Sequence, residues 1–515
     1  MPDIKAKVGT TTTHDKKIVG EALDIDDAAL RAQGREAELK RSFSWVGALG
    51  LAFGITNSWL GYASCFGLAL SYGGGQTAVF GLITAGVVQW IVLLGLAELS
   101  SALTSSGGQY HFTYILAPQP FKDFAAYTVG IINVIAWWVT TASGTFLTAI
   151  SAFGIARFWH PGFASEQWQI YLCYVLVIII SLIPIFTIPH RHIDYLTKTC
   201  MYLSVVGFLM VLAITLVMGN GTYHPSNLVE YHGSSGWGAG PALMMSIGIG
   251  EYAFGAAGAC THIAEEIPRP SRRVPLVINL TMVVGMVTAV PWILAAATLI
   301  QDMESVQNSF LPSLELFYQA TKSKSAATFM QAYMTLLYYS CIPSQWITSS
   351  RIAWAFSRDN GLPFSRYWNH IHPRYDIPVR TTLLSAGFCL LYGLLYVASS
   401  RAFNTIINTA VIMLNLTYTV PQGILATWGR HRLPRRPFDL GAWGYAVNVF
   451  SVLWLIVSGT FFCFPVALPT TVGSMNYSSV VLVGIFVLVR LLWIERRKKF
   501  SGPVIDWDML NASNS

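Results

Sequence analysis

The chain has 515 residues, of which 53% are hydrophobic and only 11% charged, with a formal net charge of +7. Repeated uncharged runs of about 20 residues, each long enough to cross roughly 30 Å of hydrocarbon, exclude a string of soluble domains. Nor is the positive charge a nucleic-acid footprint. Once the apolar runs are threaded, 28 of the 32 Lys and Arg fall on one side, and only Arg157, Lys322, Lys324 and Arg401 on the other.

In chain order, residues 1–42 carry Thr10 to Thr13 and a mixed-charge stretch with no apolar core. They read as a disordered tail and not as a cleaved signal. Because lipid offers the backbone no partners, the apolar runs must be helices. Crossings are expected at about 45–70, 76–103, 121–150, 168–189, 194–218, 238–265, 274–300, 326–350, 380–397, 403–427, 443–468 and 477–494. Twelve crossings put both termini on the Lys/Arg-rich side, which the positive-inside rule makes cytoplasmic. Residues 43–427 then form a core of ten crossings, 428–495 hold the last two, and 496–515 are a polar cytoplasmic tail. Asn220-Gly221-Thr222 is a glycosylation sequon in an outside loop. The seven cysteines sit in or beside apolar runs and form no disulfide or metal pattern.

Two crossings carry helix-weakening residues at mid-membrane. The first contains Gly47, Gly50, Gly54, Thr56, Asn57, Ser58 and Gly61; the sixth contains Gly248, Gly250, Gly255 and Gly258. Each glycine costs a helix interior about 1 kcal/mol against alanine. Close helix packing explains any single one. The two clusters lie five crossings apart, and a repeated unit with an odd number of crossings emerges inverted, so paired interruptions point to a transport site. Crossings 1–5 and 6–10 are then inverted repeats, with 11 and 12 peripheral. Backbone N–H groups freed from Gly54 to Ser58 suit a carboxylate, whereas rings suit a quaternary amine.

Phe254, at the sixth-crossing break, together with Trp59, Trp137, Trp138, Tyr252 and Tyr338, makes a candidate aromatic box; Gly255 adjoins it. Glu251 is a carboxylate inside the sixth crossing. There it needs a partner, a cavity or a proton, unless it sits a turn nearer the outside water. His262, Glu265, Glu266, Arg272 and Arg273 read as a cytoplasmic gate of paired charges, in preference to a metal site. Gly73-Gly74-Gly75 is the loop between the first two crossings. No nucleophile elbow and no phosphate loop ending in Gly-Lys-Ser/Thr occurs, so neither hydrolysis nor ATP drive is expected, and no cofactor.

The motifs also carry a resemblance. Thr56-Asn57-Ser58-Trp59-Leu60-Gly61, Gly95 to Ala102 with Ser106 to Tyr110 and Leu116-Ala117-Pro118, and Thr261 to Glu266 with Pro268 and Pro275 are similar to the amino acid–polyamine–organocation permease superfamily. So are Trp354 to Pro363 with Pro373 and Pro378. Within that superfamily, Gly393 to Ser400 and Phe464-Pro465 through Tyr477 resemble the choline permeases of its fungal amino acid/choline branch. The resemblance implies an all-α, twelve-crossing carrier with five-plus-five inverted repeats, alternating access and often proton coupling. It further implies a central site among crossings 1, 3, 6 and 8. Choline or a related amine is the expected cargo, with an amino acid or 4-aminobutyrate as the alternative and the plasma membrane as the place. Where relatives often carry an acid in the sixth-crossing break, this chain has Ala257 and Gly258. The resemblance gives Glu98 a structural or gating role, and makes Lys198 a candidate substitute for a sodium ion. A non-transporting receptor on the same scaffold, and more distantly a membrane enzyme, are the rivals.

Overall fold

The computed structural model describes residues 26–36, 38–163, 165–471, 475–503, 505, 506, 508 and 509. Thr10 to Thr13, the first part of the expected tail and the end of the last one lie outside the described residues. All regular structure among the described residues is helical. In order these are α1 (26–32), α2 (Trp45–Thr56), α3 (Ser58–Ala102), α4 (Gln109–Leu116), α5 (Lys122–Trp159), α6 (Gln167–Thr187), α7 (Ile193–Met218), α8 (Ala239–Tyr252) and a 3-10 run, Gly255–Glu266. Then come α9 (Pro270–Leu299), α10 (Met303–Asn308), α11 (Pro312–Thr321), α12 (Lys324–Arg358), α13 (Ser365–Trp368), α14 (Val379–Ala398), α15 (Ser400–Trp428), α16 (Trp443–Phe462) and α17 (Ser478–Arg496).

Among the described residues, ten helical runs are long and apolar enough to cross a membrane. One of them, Trp45–Ala102, reverses direction inside itself. Tyr62 donates from its hydroxyl to the Ala78 carbonyl at 2.6 Å, whereas 16 residues of straight helix would separate them by about 24 Å. The reversal is at Gly73 and Gly74; Gly74 has φ 75°, a left-handed value that costs glycine little. A Cβ at Gly73 would run into the Tyr231 ring and one at Gly75 into the Asn227 carbonyl. The expected loop is thus a bend without a loop. α12 is 35 residues long, but its Ser, Thr, Gln and Arg content keeps it out of the ten. The bend makes two segments of one run, and α12 is a long helix beside the ten.

Residues 45–218 and 239–428 repeat one plan: a broken crossing followed by four more. The broken segments α2 and the 3-10 run pack on one another and, with α3, α5, α12 and α15, form the interior. α16 and α17 are peripheral, with 17% and 11% of their most apolar stretches buried against 78% for Ala239–Glu266.

Residues 26–42 depart from the expected disordered tail. Leu30, Ala32, Gln33 and Leu39 are buried. Gln33 accepts from the Thr104 N–H at 3.0 Å and donates to the Thr104 hydroxyl at 3.1 Å, while the Phe43 N–H reaches the Glu266 carbonyl at 3.1 Å. The segment straps across the face on which it enters, called here the near face. Of its charges, Arg35 is spent on Asp359 and Lys40 on Asp376, far away in sequence, and Arg41 on Asp27 within the segment.

Candidate functional site

The first break is a single residue. α2 ends at Thr56, Asn57 adopts φ 32° and ψ 60°, and α3 starts at Ser58 with no side chain capping its free N–H groups. Asparagine tolerates this left-handed geometry better than most residues. Its amide is also clamped: Oδ1 accepts from Ser204 of α7 at 2.7 Å, and Nδ2 points at Cys341 Sγ of α12 at 3.7 Å. The second break is a change of helix type. α8 stops at Tyr252, and Gly255–Glu266 continues as a tighter 3-10 run. Such a run has poorer hydrogen-bond geometry and is rarely this long. Here Tyr418 of α15 supports it by donating to the Gly255 carbonyl at 2.9 Å.

Between the two breaks lies a cavity of about 60 Å³. Thr56, Asn57, Tyr252, Gly255 and Tyr338 line it, and no lining residue is charged. Tyr252 and Ser143 share a hydrogen bond of 2.7 Å, and Tyr338 donates to the Leu60 carbonyl at 3.2 Å. These side chains also border a larger cavity of about 240 Å³ that reaches Phe310, Leu311 and Pro312 on the far face. Tyr252, Tyr338 and Ser143 therefore form the partition between an inner chamber and an outer one.

Several sequence candidates are placed elsewhere. Phe254 is buried away from the chamber, in a slot left by glycines: Cβ atoms at Gly86 and Gly285 would lie 3.1 and 3.3 Å from its ring. Ser58 faces Gly285 on α9, and Gly54 faces Ser344. Trp59 donates to Ser204 at 3.1 Å and packs on Phe208, so it supports Asn57 indirectly. Trp137 lies edge-on to His262, and the buried Trp138 packs at a tilt on Phe388 of α14. The aromatic box thus reduces to Tyr252 and Tyr338. Sequence reading missed Thr140, Ser143 and Gly144 of α5, Gln345 of α12, and Ala410, Val411 and Leu414 of α15, all of which line the chamber. The small and polar run Thr140 to Gly144 was the available signal; the α15 residues carry none.

The near face is closed by charge. Arg358 makes a two-pronged contact with Glu265 at 2.9 and 3.2 Å, and Arg351 binds Glu266 at 2.8 Å, with His190 at 3.3 Å. Glu265 also accepts from the Ser106 N–H at 2.9 Å. The strap joins this cluster through Arg35, paired with Asp359, which accepts from Tyr110 at 2.9 Å. Arg272 and Arg273, the expected partners of Glu265 and Glu266, form no ion pair among the described residues, because α12 supplies the cations. In the strap, burial pushes the Glu38 carboxyl above its ordinary value of 4.5, with Arg358 opposing. Burial likewise raises Asp26 above 3.8, against the Arg269 N–H that it accepts at 2.7 Å. His111 of α4 is driven well below its ordinary 6.5 by burial and by Arg35 and Arg358.

The remaining charged candidates do not touch the chamber. Glu98 accepts from Arg436 at 2.7 and 2.9 Å, from Arg430, and from the Leu440 N–H at 3.1 Å, which pins the α15–α16 connection. Lys198 pairs with Asp194 at 2.6 Å, and Asp194 in turn accepts from the Ser44 N–H and hydroxyl at the start of α2. Glu251 is fully buried and faces α15 and α16. No group of three or more metal-ligating side chains occurs among the described residues.

Comparison with known proteins agrees with this geometry. The profile of a family described as "Amino acid permease" matches residues 43–487. A choline transporter of Saccharomyces cerevisiae is 32% identical over 495 residues, covering 94% of this chain and 87% of that protein. A transmembrane transporter, swnT, of Metarhizium robertsii is 27% identical, covering 96% and 98%. The amino-acid permease BAT1 homolog of rice, Oryza sativa, is 25% identical, covering 94% and 96%. Among solved structures, the Eremococcus coleocola manganese transporter superposes with a TM-score of 0.53 at 14% identity, covering 88% of this chain and 94% of that one. At that identity the likeness speaks for the fold alone.

Proposed function

We propose, for a chain that belongs to the amino acid permease family, that its nitrogenous cargo is choline or a related amine, imported across the plasma membrane by alternating access. The observation that carries this reading is an uncharged chamber between two helix breaks, bordered by two tyrosine rings. A trimethylammonium group cannot accept or donate a conventional hydrogen bond, so ring faces at about 0.5–2 kcal/mol each suit it. Asn57 Nδ2 and the Ser143 hydroxyl, each already in one contact, keep a second hydrogen-bonding position for an alcohol group. With the termini cytoplasmic, the ion-paired near face is the inner gate, and the tyrosine partition opens toward the outside.

An amino acid is the second reading, favoured by the uncapped N–H groups at the start of α3. Uptake in a host lacking its own choline and amino acid permeases tests both. Choline uptake unaffected by an excess of unlabelled amino acids is expected; strong competition by them transfers the assignment. Accumulation in vesicles containing only this protein excludes a pure receptor. Proton drive is part of the proposal, and uptake indifferent to collapse of the proton gradient would remove it.

A further inference from the structure

Among the described residues Glu251 is a fully buried acidic side chain that forms no ion pair, and the groups around it are unusual. Asn415 of α15 donates to its Oε2 at 2.9 Å, and the Trp454 indole of α16 donates to its Oε1 at 2.6 Å. Gln89 of α3 donates in turn to Asn415 Oδ1 at 2.9 Å, and the other end of that amide, Gln89 Oε1, is a buried acceptor with no partner.

No Asp, Glu, Lys, Arg or His occurs in 58–72, 75–97, 405–428 or 443–462, the stretches of α3, α15 and α16 that pack on α8. The titratable groups those elements present are Tyr62, Cys65, Tyr72, Tyr418 and Tyr445. Tyr62 and Tyr418 are committed to the Ala78 and Gly255 carbonyls, and Cys65 to the Gly61 and Ile249 carbonyls. A lone carboxylate in such surroundings requires a proton or a cation. Both of its oxygens are met by N–H donors, which leaves no cluster of lone pairs for a metal ion.

We infer that Glu251, with the Asn415–Gln89 amide pair and the Trp454 indole, is a proton-binding site separate from the substrate chamber. The reason is a reversible chain of hydrogen bonds. With the carboxylate ionised, the chain runs from Gln89 through Asn415 to Glu251. When a proton adds to Oε2, the new O–H donates to Asn415 Oδ1 once that amide flips, and when the Gln89 amide flips with it, Asn415 Nδ2 donates to Gln89 Oε1. Each bond survives with its direction reversed, and Trp454 donates to Oε1 in both states. Release of the proton restores the first direction. An amide can do this because its two ends are nearly the same shape. Glu251 adjoins Tyr252 of the chamber partition, so protonation biases how α8 sits against α15 and α16 without touching cargo.

This inference rests on the carrier reading above, and the experiment separates the two. The protein is reconstituted in vesicles with labelled choline, under an imposed inside-alkaline gradient and, separately, in counterflow with no gradient. Wild type should concentrate choline under the gradient. Glu251→Gln should keep counterflow but lose concentration by at least about tenfold, to the equilibrium level. A Glu251→Gln protein that still concentrates choline overturns the proton site alone; wild-type accumulation indifferent to the gradient with counterflow intact overturns the proton site and the proton drive, and leaves the carrier reading standing. Absence of wild-type counterflow for choline, amines and amino acids alike overturns the carrier reading. Should Glu251→Gln fail to insert, Trp454→Phe keeps the carboxyl and removes one donor. It should shift the pH midpoint of uptake by roughly 0.5 unit or more, and an unmoved midpoint counts against the site.

Discussion

The two halves of the molecule, one on either side of the chamber, are closed by different physics. On the near side, buried ion pairs join Arg351 to Glu266 at 2.8 Å, Arg358 to Glu265 at 2.9 Å, and Arg35 to Asp359. On the far side, Tyr252, Tyr338, Leu147 and Val411 separate two cavities with no charge at all. A buried ion pair is costly to leave half made, so the near side is either fully assembled or fully parted. Ring partitions yield by rotamer changes, each small. The near side therefore has the character of a latch and the far side that of a curtain.

The sharpest way to break this contrast is to leave one charge of the latch unpaired. Arg351→Ala should cost about 3–5 kcal/mol, seen as a fall in thermal stability in detergent. Replacing the pair together, as Arg351→Met with Glu266→Leu, should recover most of it; equal loss in both proteins would refute the latch. Next in size, Ser143→Leu fills the partition and removes the Tyr252 bond. Uptake should drop about tenfold or more, equivalent to about 1.4 kcal/mol, with the folded yield unchanged. Of comparable size is Arg35→Gln, which removes a hydrogen bond to a charged group worth about 1.5–3 kcal/mol. Hydrogen exchange in residues 26–43 should quicken, whereas Phe310→Ala on the far face should leave it alone. The smallest concerns pH. Asp26 and Glu38 both have carboxyls raised by burial in the docked strap, so the docked form holds their protons more tightly than the free one. Docking should therefore tighten as pH falls toward their ordinary range and loosen as pH rises above the raised values. Exchange in 26–43 that slows with rising pH, after correction for its intrinsic pH dependence, would contradict this.

Much of this was legible in the sequence, and the reasons are specific. The breaks at Asn57 and Gly255 were visible because glycines cluster there within otherwise apolar runs. The inverted plan was visible because five crossings separate them. The direction of Phe254 was not, since the slot that receives it is made by Gly86 and Gly285 in other helices. The partners of Glu265 and Glu266 were sought next door at Arg272 and Arg273, while α12 supplies them 85 and 93 residues away. The strap was hidden for the same reason: Arg35 meets Asp359 across 324 residues. Ala410, Val411 and Leu414 look like any lipid-facing residues, and only packing tells them apart.

The turn at Gly73 and Gly74 ties the first two crossings into one stiff hairpin, whereas α2 is attached to that hairpin only through Asn57. Twelve residues of helix make a rod about 18 Å long, so a tilt of about 20° about that pivot would carry the Trp45 end roughly 6 Å. Because Ser44 is bound to Asp194 and Phe43 to Glu266, such a swing drags the strap and strains the ion pairs together, so that one short lever unlocks the whole lower face.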